Sequence, residues 1–421
     1  MSARVRRGTV RALCAGLVAA ALLAACTPSS EPSAAPAPTG EVEVFTWWAS
    51  GSEKLAMDVL VQAFREQNPQ TTFVDGAVAG GAGSAAKDVL ASRLANGDPP
   101  DTFLVSGGAE LAAHVADGDV ATVTALVAEL GLADALTPEV ADAVSVDGVP
   151  YAVPSNLHRA NLLWANPAVL TAVGLDPTAT YETLDDWLDA LAAVRAAGVL
   201  PLSLGSPWTQ VHLLEVVLIS RLGPDGYAGL WDGTTDASSP AVATAVGDFA
   251  RLLGYTNADR DSLDWNDQAL AVVEGEAAFT VMGDWARPVL GPPIRWAPFP
   301  GTVGTWDLVV DAFALPVDAS SPAATDAWLR TVADPSVQAA FANVKGAVPA
   351  RADVPQSELG TYQRFAVADL RTATVVPSLA LGSAVEPDAL AAITDVVGRL
   401  TRGTASAAQV QAALAAAAPA G

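Results

Sequence analysis

Residues 45–53 read FTWWASGSE: Phe45, Thr46, Trp47, Trp48, Ala49, Ser50, Gly51, Ser52 and Glu53. They close an alternating stretch, EVEVF, and open a helical pattern in which Met57, Leu60, Val61 and Phe64 recur at i, i+3, i+4 and i+7. Two adjacent indoles thus sit at the carboxyl end of a first strand. Neighbouring strand residues point to opposite faces, so one buried face cannot take both. In open α/β sheets that end is where ligands bind.

Outward from this junction, strand and helix patterns alternate. The first helix stops at Asn68-Pro69, and Thr72-Phe73-Val74 reads as a second strand. The glycines of Gly80 to Gly83 then open a helical stretch, AAKDVLASRLANG, and Asp101 to Val105 after Pro99-Pro100 forms a third strand. Further on, Thr183 caps a helix whose apolar face is Trp187, Leu188, Leu191 and Val194, closed by Gly198. The expectation is an α/β fold around mostly parallel sheets.

The amino-terminal end belongs to export rather than to the fold. Arg4, Arg6, Arg7 and Arg11 precede an apolar run from Ala12 to Ala25, short for a membrane span, which ends in Leu23-Ala24-Ala25-Cys26. Small residues before a cysteine resemble a bacterial lipobox, in which Cys26 carries lipid and becomes the mature terminus. Residues 1–25 are then the signal peptide, and residues 26–40, rich in Pro, Ser and Ala, are a flexible tether. The expected location is the outer face of the cell membrane, attached by the lipid anchor only.

Composition narrows the function. All four arginines named above, and none of the 46 acids, leave with the signal, so the formal charge moves from −24 to −28. Such a surface repels phosphate backbones and makes nucleic acid an unsuitable partner. Of the two cysteines, Cys14 lies in the signal, which leaves no disulfide, thiolate site or cysteine nucleophile. The three histidines, His114, His158 and His212, have no metal-site spacing, and no nucleophile elbow, zinc-protease or Walker motif occurs. Gly81-x-Gly83-x-x-Ala86 imitates a dinucleotide fingerprint, but an exported chain has little access to that cofactor. No catalytic residue, cofactor or metal is expected. A mature chain of about 395 residues exceeds what one hydrophobic core usually supports, so two lobes are expected.

Tryptophan beside carboxylate or amide suits a sugar, whose C–H face packs on indole while its hydroxyls pair with planar polar groups. Of the 11 tryptophans, Trp47 and Trp48 lie near Glu53, Trp208 lies in PWTQVH, Trp265 in LDWND and Trp285 in MGDWA. Together with GGAG, NGDPPDTF, PSNLHRAN, WAPFPGT, VKGAVPAR and PSLALGSA, in that order along the chain, these motifs resemble the sugar-binding proteins of ABC importers. The maltose-binding class, and within it the glucose/mannose-binding branch, is the nearest resemblance.

The resemblance implies two α/β lobes, 41–152 with 312–343 and 153–311 with 344–421. Chain crossings are expected near Tyr151 to Pro154, Val309 to Ala312 and Val344 to Gly346, with a ligand cleft between the lobes. It implies that Trp47, Trp48 and Glu53 meet the sugar from the first lobe, and Trp265, Asp284 and Lys345 from the second lobe and the hinge. Asn156, His158, Trp208, Gln210 and His212 match family motifs as further candidates. Three positions depart from the branch. Leu104 and Ser106 stand where it has Gln and His, and Leu381 stands where it has His. Ser106 and Leu381 stay among the candidate ligand residues, and a monosaccharide such as glucose or mannose would leave hydroxyls unpaired there unless the ligand differs. The implied partners are a monosaccharide or short oligosaccharide and the permease of an ABC importer, with the protein itself a monomer. A sensor or adhesin without transport would share these residues, and a glycoside hydrolase would need a carboxylate pair that nothing in the sequence singles out.

Overall fold

The computed structural model describes residues 39–79 and 83–418. The signal, Cys26 and most of the tether, and Gly80 to Ala82 of the glycine loop, lie outside the described residues. In chain order the principal strands are β1 (Gly40–Phe45), β2 (Thr71–Asp75), β3 (Thr102–Ser106), β4 (Ala152–Arg159), β5 (Leu162–Ala165) and β6 (Leu200–Ser203). They continue with β7 (Ala277–Val281), β8 (Arg295–Pro298), β9 (Thr305–Pro316), β10 (Val348–Pro349) and β11 (Thr374–Pro377). The helices that position the site are α1 (Gly51–Gln67), α2 (Ser84–Ala95), α3 (Leu184–Ala196), α4 (Pro207–Asp232), α5 (Trp265–Val273), α6 (Pro322–Ala333) and α7 (Pro335–Lys345).

Two sheets organise the chain. The larger runs β10-β4-β9-β3-β1-β2, with β11 beside β9, and the smaller runs β8-β5-β7-β6. Parallel pairing, expected for most of the sheet, holds for β1 with β2 and β3, for β6 with β7 and for β9 with β11. The long strands β4 and β9 pair antiparallel with each other, and β9 is antiparallel to β3. Likewise β5 is antiparallel to both β7 and β8. The sheets are therefore mixed. An antiparallel neighbour needs no crossover helix, which lets β4 and β9 run side by side.

Period-two alternation sorts the large sheet into two faces. Val42, Val44, Leu104, Val153 and Phe313 enter a core with Phe64 of α1, Trp328 of α6 and Phe341 of α7. Their sequence neighbours Phe45, Phe103, Val105, Ala152, Ala312 and Ala314 enter a core on the opposite face. The small sheet has its own core, where Phe279 meets Trp187, Leu214 and Phe299. A smaller cluster holding Trp164, Met282, Trp285 and Val309 lies beside it.

The local readings hold where periodicity is strong. Met57, Leu60, Val61 and Phe64 are all buried on α1, which ends at Asn68. Thr183 caps α3 in a reciprocal box with Asp186: its hydroxyl accepts from the Asp186 N–H and the Asp186 carboxylate accepts from the Thr183 N–H. Helix α4 breaks at Gly223, whose φ of +70° is open to glycine and directly precedes Pro224.

Trp187 is fully buried, its ring 5.9 Å from Phe279 and 5.3 Å from Phe299, both edge-on. Trp187→Ala is expected to cost about 3–5 kcal/mol of stability, as removal of a buried large aromatic does. Urea unfolding checks this, and the fraction that remains folded should keep its ligand affinity.

Candidate functional site

The turn after β1 splits the adjacent indoles. Trp48 is fully buried against Phe313 and Phe341, at ring distances of 6.0 and 5.3 Å. Trp47 stays partly exposed and lies over Gly83, where a Cβ atom would fall 2.9 Å from the indole. Gly83 also has a φ of +93°, so the glycine at the head of α2 supplies both the turn and the room for Trp47. The Lys87 ammonium sits 5.5 Å from the same ring.

Beside Trp48 lies a cavity with about 410 Å³ of empty space, its open mouth included. The first core contributes Trp47, Trp48, Glu53 and Lys345; from the other side come Trp208, Trp265, Trp285, Val309 and Leu381. His158 and Asp311, from β4 and β9, complete the lining. The enclosed part is small, about 40 Å³, so the surrounding side chains close tightly on it.

Each polar group is held by others. Glu53, in the first turn of α1, accepts from the Lys345 ammonium at 2.7 Å, and that ammonium also lies 4.8 Å from the Trp48 ring. Lys345 is the last residue of α7 and is only 2% exposed. The helix can stop there because Gly346 takes a φ of +82°; a Cβ on it would come within 2.6 Å of the Asp284 carbonyl oxygen. His158 is buried between two carboxylates. Its Nδ1 donates to Asp284, and its Nε2 faces Asp311 Oδ2 at 3.4 Å. The remaining Asp284 oxygen accepts from the Tyr362 hydroxyl at 2.8 Å and the Arg159 N–H at 3.2 Å. Asn156 donates to Asp311 at 3.0 Å.

Burial alone would push the His158 imidazole down, but the charges and hydrogen bonds of Asp284 and Asp311 outweigh it, and the pKa is raised. Burial would likewise raise Asp311; the His158 bond and charge, Lys345 and Asn156 lower it instead. The imidazole and the carboxylate thus each favour the charged form of the other.

The sequence-predicted residues thus divide. Trp47, Trp48, Glu53, His158, Trp208, Trp265, Lys345 and Leu381 line one cavity. Asp284, Asn156, Gln210 and Ser106 do not. Asp284 and Asn156 hold His158 and Asp311, and Ser106 lies on β3 opposite Asp311 in the sheet register. The amide of Gln210 donates to Gly205 O at 3.0 Å and Asp261 Oδ1 at 2.7 Å, and its oxygen accepts from Thr401, so it ties down the head of α4. The lining residues missed as site candidates are Trp285, Val309 and, alone among polar groups, Asp311. Its signal was there: a second acid in an otherwise apolar 12-residue strand, TWDLVVDAFALP.

A raised His158 pKa has a definite consequence for stability. A histidine whose folded-state pKa exceeds its ordinary 6.5 stabilises the fold fully below that value, and the contribution disappears as pH rises through the raised pKa. The melting temperature is expected to fall across that alkaline-side window. In His158→Gln the curve should lie lower at acid pH and be flatter through the same window, as thermal melts in a pH series would record.

Comparison with known proteins agrees with this architecture. The family of bacterial extracellular solute-binding proteins matches residues 48–339. A probable sugar-binding periplasmic protein of Mesorhizobium japonicum is 32% identical, with 88% of this chain and 91% of that protein covered. The xylose/arabinose-binding protein XacG of Haloferax volcanii is 29% identical over 85% of this chain and 80% of its own length. Among solved structures, the bacterial solute receptor AcbH, described as exclusive for β-D-galactopyranose, superposes with a TM-score of 0.78 at 15% identity, covering 90% of this chain and 98% of that one. The fold is the two-lobe α/β fold of periplasmic sugar-binding proteins. By the match along its length and by its relatives, this chain belongs to the bacterial extracellular solute-binding protein family.

Proposed function

We propose that this chain captures a monosaccharide outside the cytoplasmic membrane and hands it to the permease of an ABC importer. The observation that carries the reading is the lining of the one cavity beside Trp48. The partly exposed indoles of Trp47, Trp208 and Trp265 offer stacking faces, while Glu53, Asp311, Lys345 and His158 offer charged hydrogen-bonding groups. The Trp208 indole N–H is buried without a hydrogen-bond partner, and a sugar hydroxyl would supply one. Relatives named for sugars support the same assignment.

The departures from the glucose/mannose branch then bear on which sugar. Leu104 is buried in the first core and does not line the cavity, whereas Leu381 does. A hydroxyl facing Leu381 would lose its partner, so the favoured ligand carries hydrogen or methyl there, as a pentopyranose or a deoxyhexose can. Titration calorimetry against pentoses, hexoses, deoxyhexoses and disaccharides tests this. Binding to none of them would refute the proposed function; a clear preference for glucose would refute only the role given to Leu381.

Trp265→Ala should weaken the best sugar at least tenfold, about 1.4 kcal/mol, with little change in melting temperature, because Trp265 is only partly buried. Glu53→Gln is expected to lower affinity and stability together, since it leaves the Lys345 ammonium buried without its carboxylate. Affinity and melting temperature measured side by side on both variants separate the two roles.

Attachment to the membrane through a lipid on Cys26 belongs to the same proposal. No helix among the described residues is long and apolar enough to cross a membrane, and lipidation needs the thiol. Cys26→Ala should therefore release the exported protein into the soluble fraction on cell fractionation; retention with membranes after signal cleavage would refute the anchor.

A further inference from the structure

Behind the cavity wall lies a second polar cluster that plays no part in the contacts described so far. His212 and Glu215 stand three residues apart on α4 and so share one face of the helix. That face meets Asp307, the third residue of β9. One imidazole nitrogen and one oxygen from each carboxylate lie within 4.8 Å of one another, and all three side chains are fully buried.

Hydrogen bonding in the cluster is lopsided. Glu215 accepts from the Tyr227 hydroxyl at 2.8 Å, from Ser378 Oγ at 3.2 Å and from the backbone N–H groups of Leu379 and Ala380. Asp307 has no donor on either oxygen. A buried carboxylate left bare is among the most costly arrangements in a protein interior. Arg159, whose charge reaches Asp307, is itself engaged by Asp369 at 2.6 Å and lies over the Trp306 ring. The His212 Nε2–H donates to the Ala160 carbonyl at 3.0 Å, which leaves the Nδ1 lone pair without a partner.

We propose that His212, Glu215 and Asp307 form a buried site for a divalent first-row cation, Zn²⁺ or Mn²⁺. Two carboxylates and a neutral imidazole satisfy such an ion, and the ion's charge offsets both acids where one positive charge could not. Imidazole ligation disfavours Ca²⁺ and Mg²⁺, which take oxygen. A histidine that ligates through one nitrogen while giving its other N–H to a backbone carbonyl is the usual supporting arrangement around metals, and Ala160 provides it. The role is structural. The cluster joins α4, β9 and the segment 378–380, and two contacts link it to the cavity lining: His212 stacks against Trp208 at 6.3 Å and 21°, and the Leu381 N–H donates to Ser378 Oγ. Histidine spacing in the sequence could not reveal this site because it holds a single histidine.

Tag-free protein, purified without chelator, tests the proposal. Elemental analysis should find one equivalent of metal per chain. EDTA should lower the melting temperature, and Zn²⁺ or Mn²⁺ should restore it. Asp307→Asn should bind neither ion and be insensitive to EDTA, while remaining folded because the bare buried charge is gone. A wild-type chain that carries no metal and whose melting temperature answers to neither ion overturns the proposal and leaves Asp307 a protonated carboxyl. Metal uptake undiminished in Asp307→Asn also overturns it, since the ion then sits elsewhere on the acidic chain.

Discussion

His158 is held between Asp284 and Asp311, and that buried chain of charge ties together the parts of the molecule that form the site. Asp284 lies beyond the end of β7 in the small sheet, His158 on β4, and Asp311 on β9. An unpaired charge at such burial would cost several kcal/mol, so the three segments are fixed relative to one another by the need to keep each carboxylate beside the imidazole. Tyr362, Arg159 and Asn156 complete the pairing from three further positions. Val309 and Val310, beside Asp311 on β9, add apolar contacts on the two sides of the strand.

A second pair works in the same way from the other wall. Lys345 and Glu53 come from elements far apart in sequence, the end of α7 and the start of α1. Placing an ammonium at 2% exposure against the Trp48 ring demands a carboxylate partner, and Glu53 is the only one it bonds among the described residues. A carboxylate in the first turn of a helix is also favoured by the helix dipole. Glu53 is consequently oriented before any ligand arrives, and a pre-oriented acceptor loses less entropy on binding than a free side chain does.

Much of this could be read in the sequence, for identifiable reasons. Helix α1 and the Thr183 cap were legible because periodicity and capping are local. The cavity was legible where residues stand at element ends, as Trp47, Trp48, Glu53, Trp208 and Trp265 do. Matching motifs could not tell residues that line the cavity from residues behind its lining: Asp284, Asn156 and Gln210 are of the second kind. Asp311 was missed because the strand was read for its crossing, Val309 to Ala312, and the two acids of this apolar strand were not weighed as site residues. The antiparallel pairing of β4 with β9 was equally hidden, since residues paired across a sheet leave no pattern within either strand.

The turn after β1 gives the adjacent indoles different surroundings. Trp48 fills the first core between Phe313 and Phe341, and its edge reaches the cavity because the sheet ends there. Trp47, one residue on the other side of the turn, packs partly against both faces of the large sheet and leaves the rest of its ring at the mouth. Rigid anchorage of one indole thus sets the direction of its neighbour. Large-to-small change at Trp48 would be felt as a core cavity and as a displaced Trp47 at once, so in this site stability and recognition share one pair of side chains.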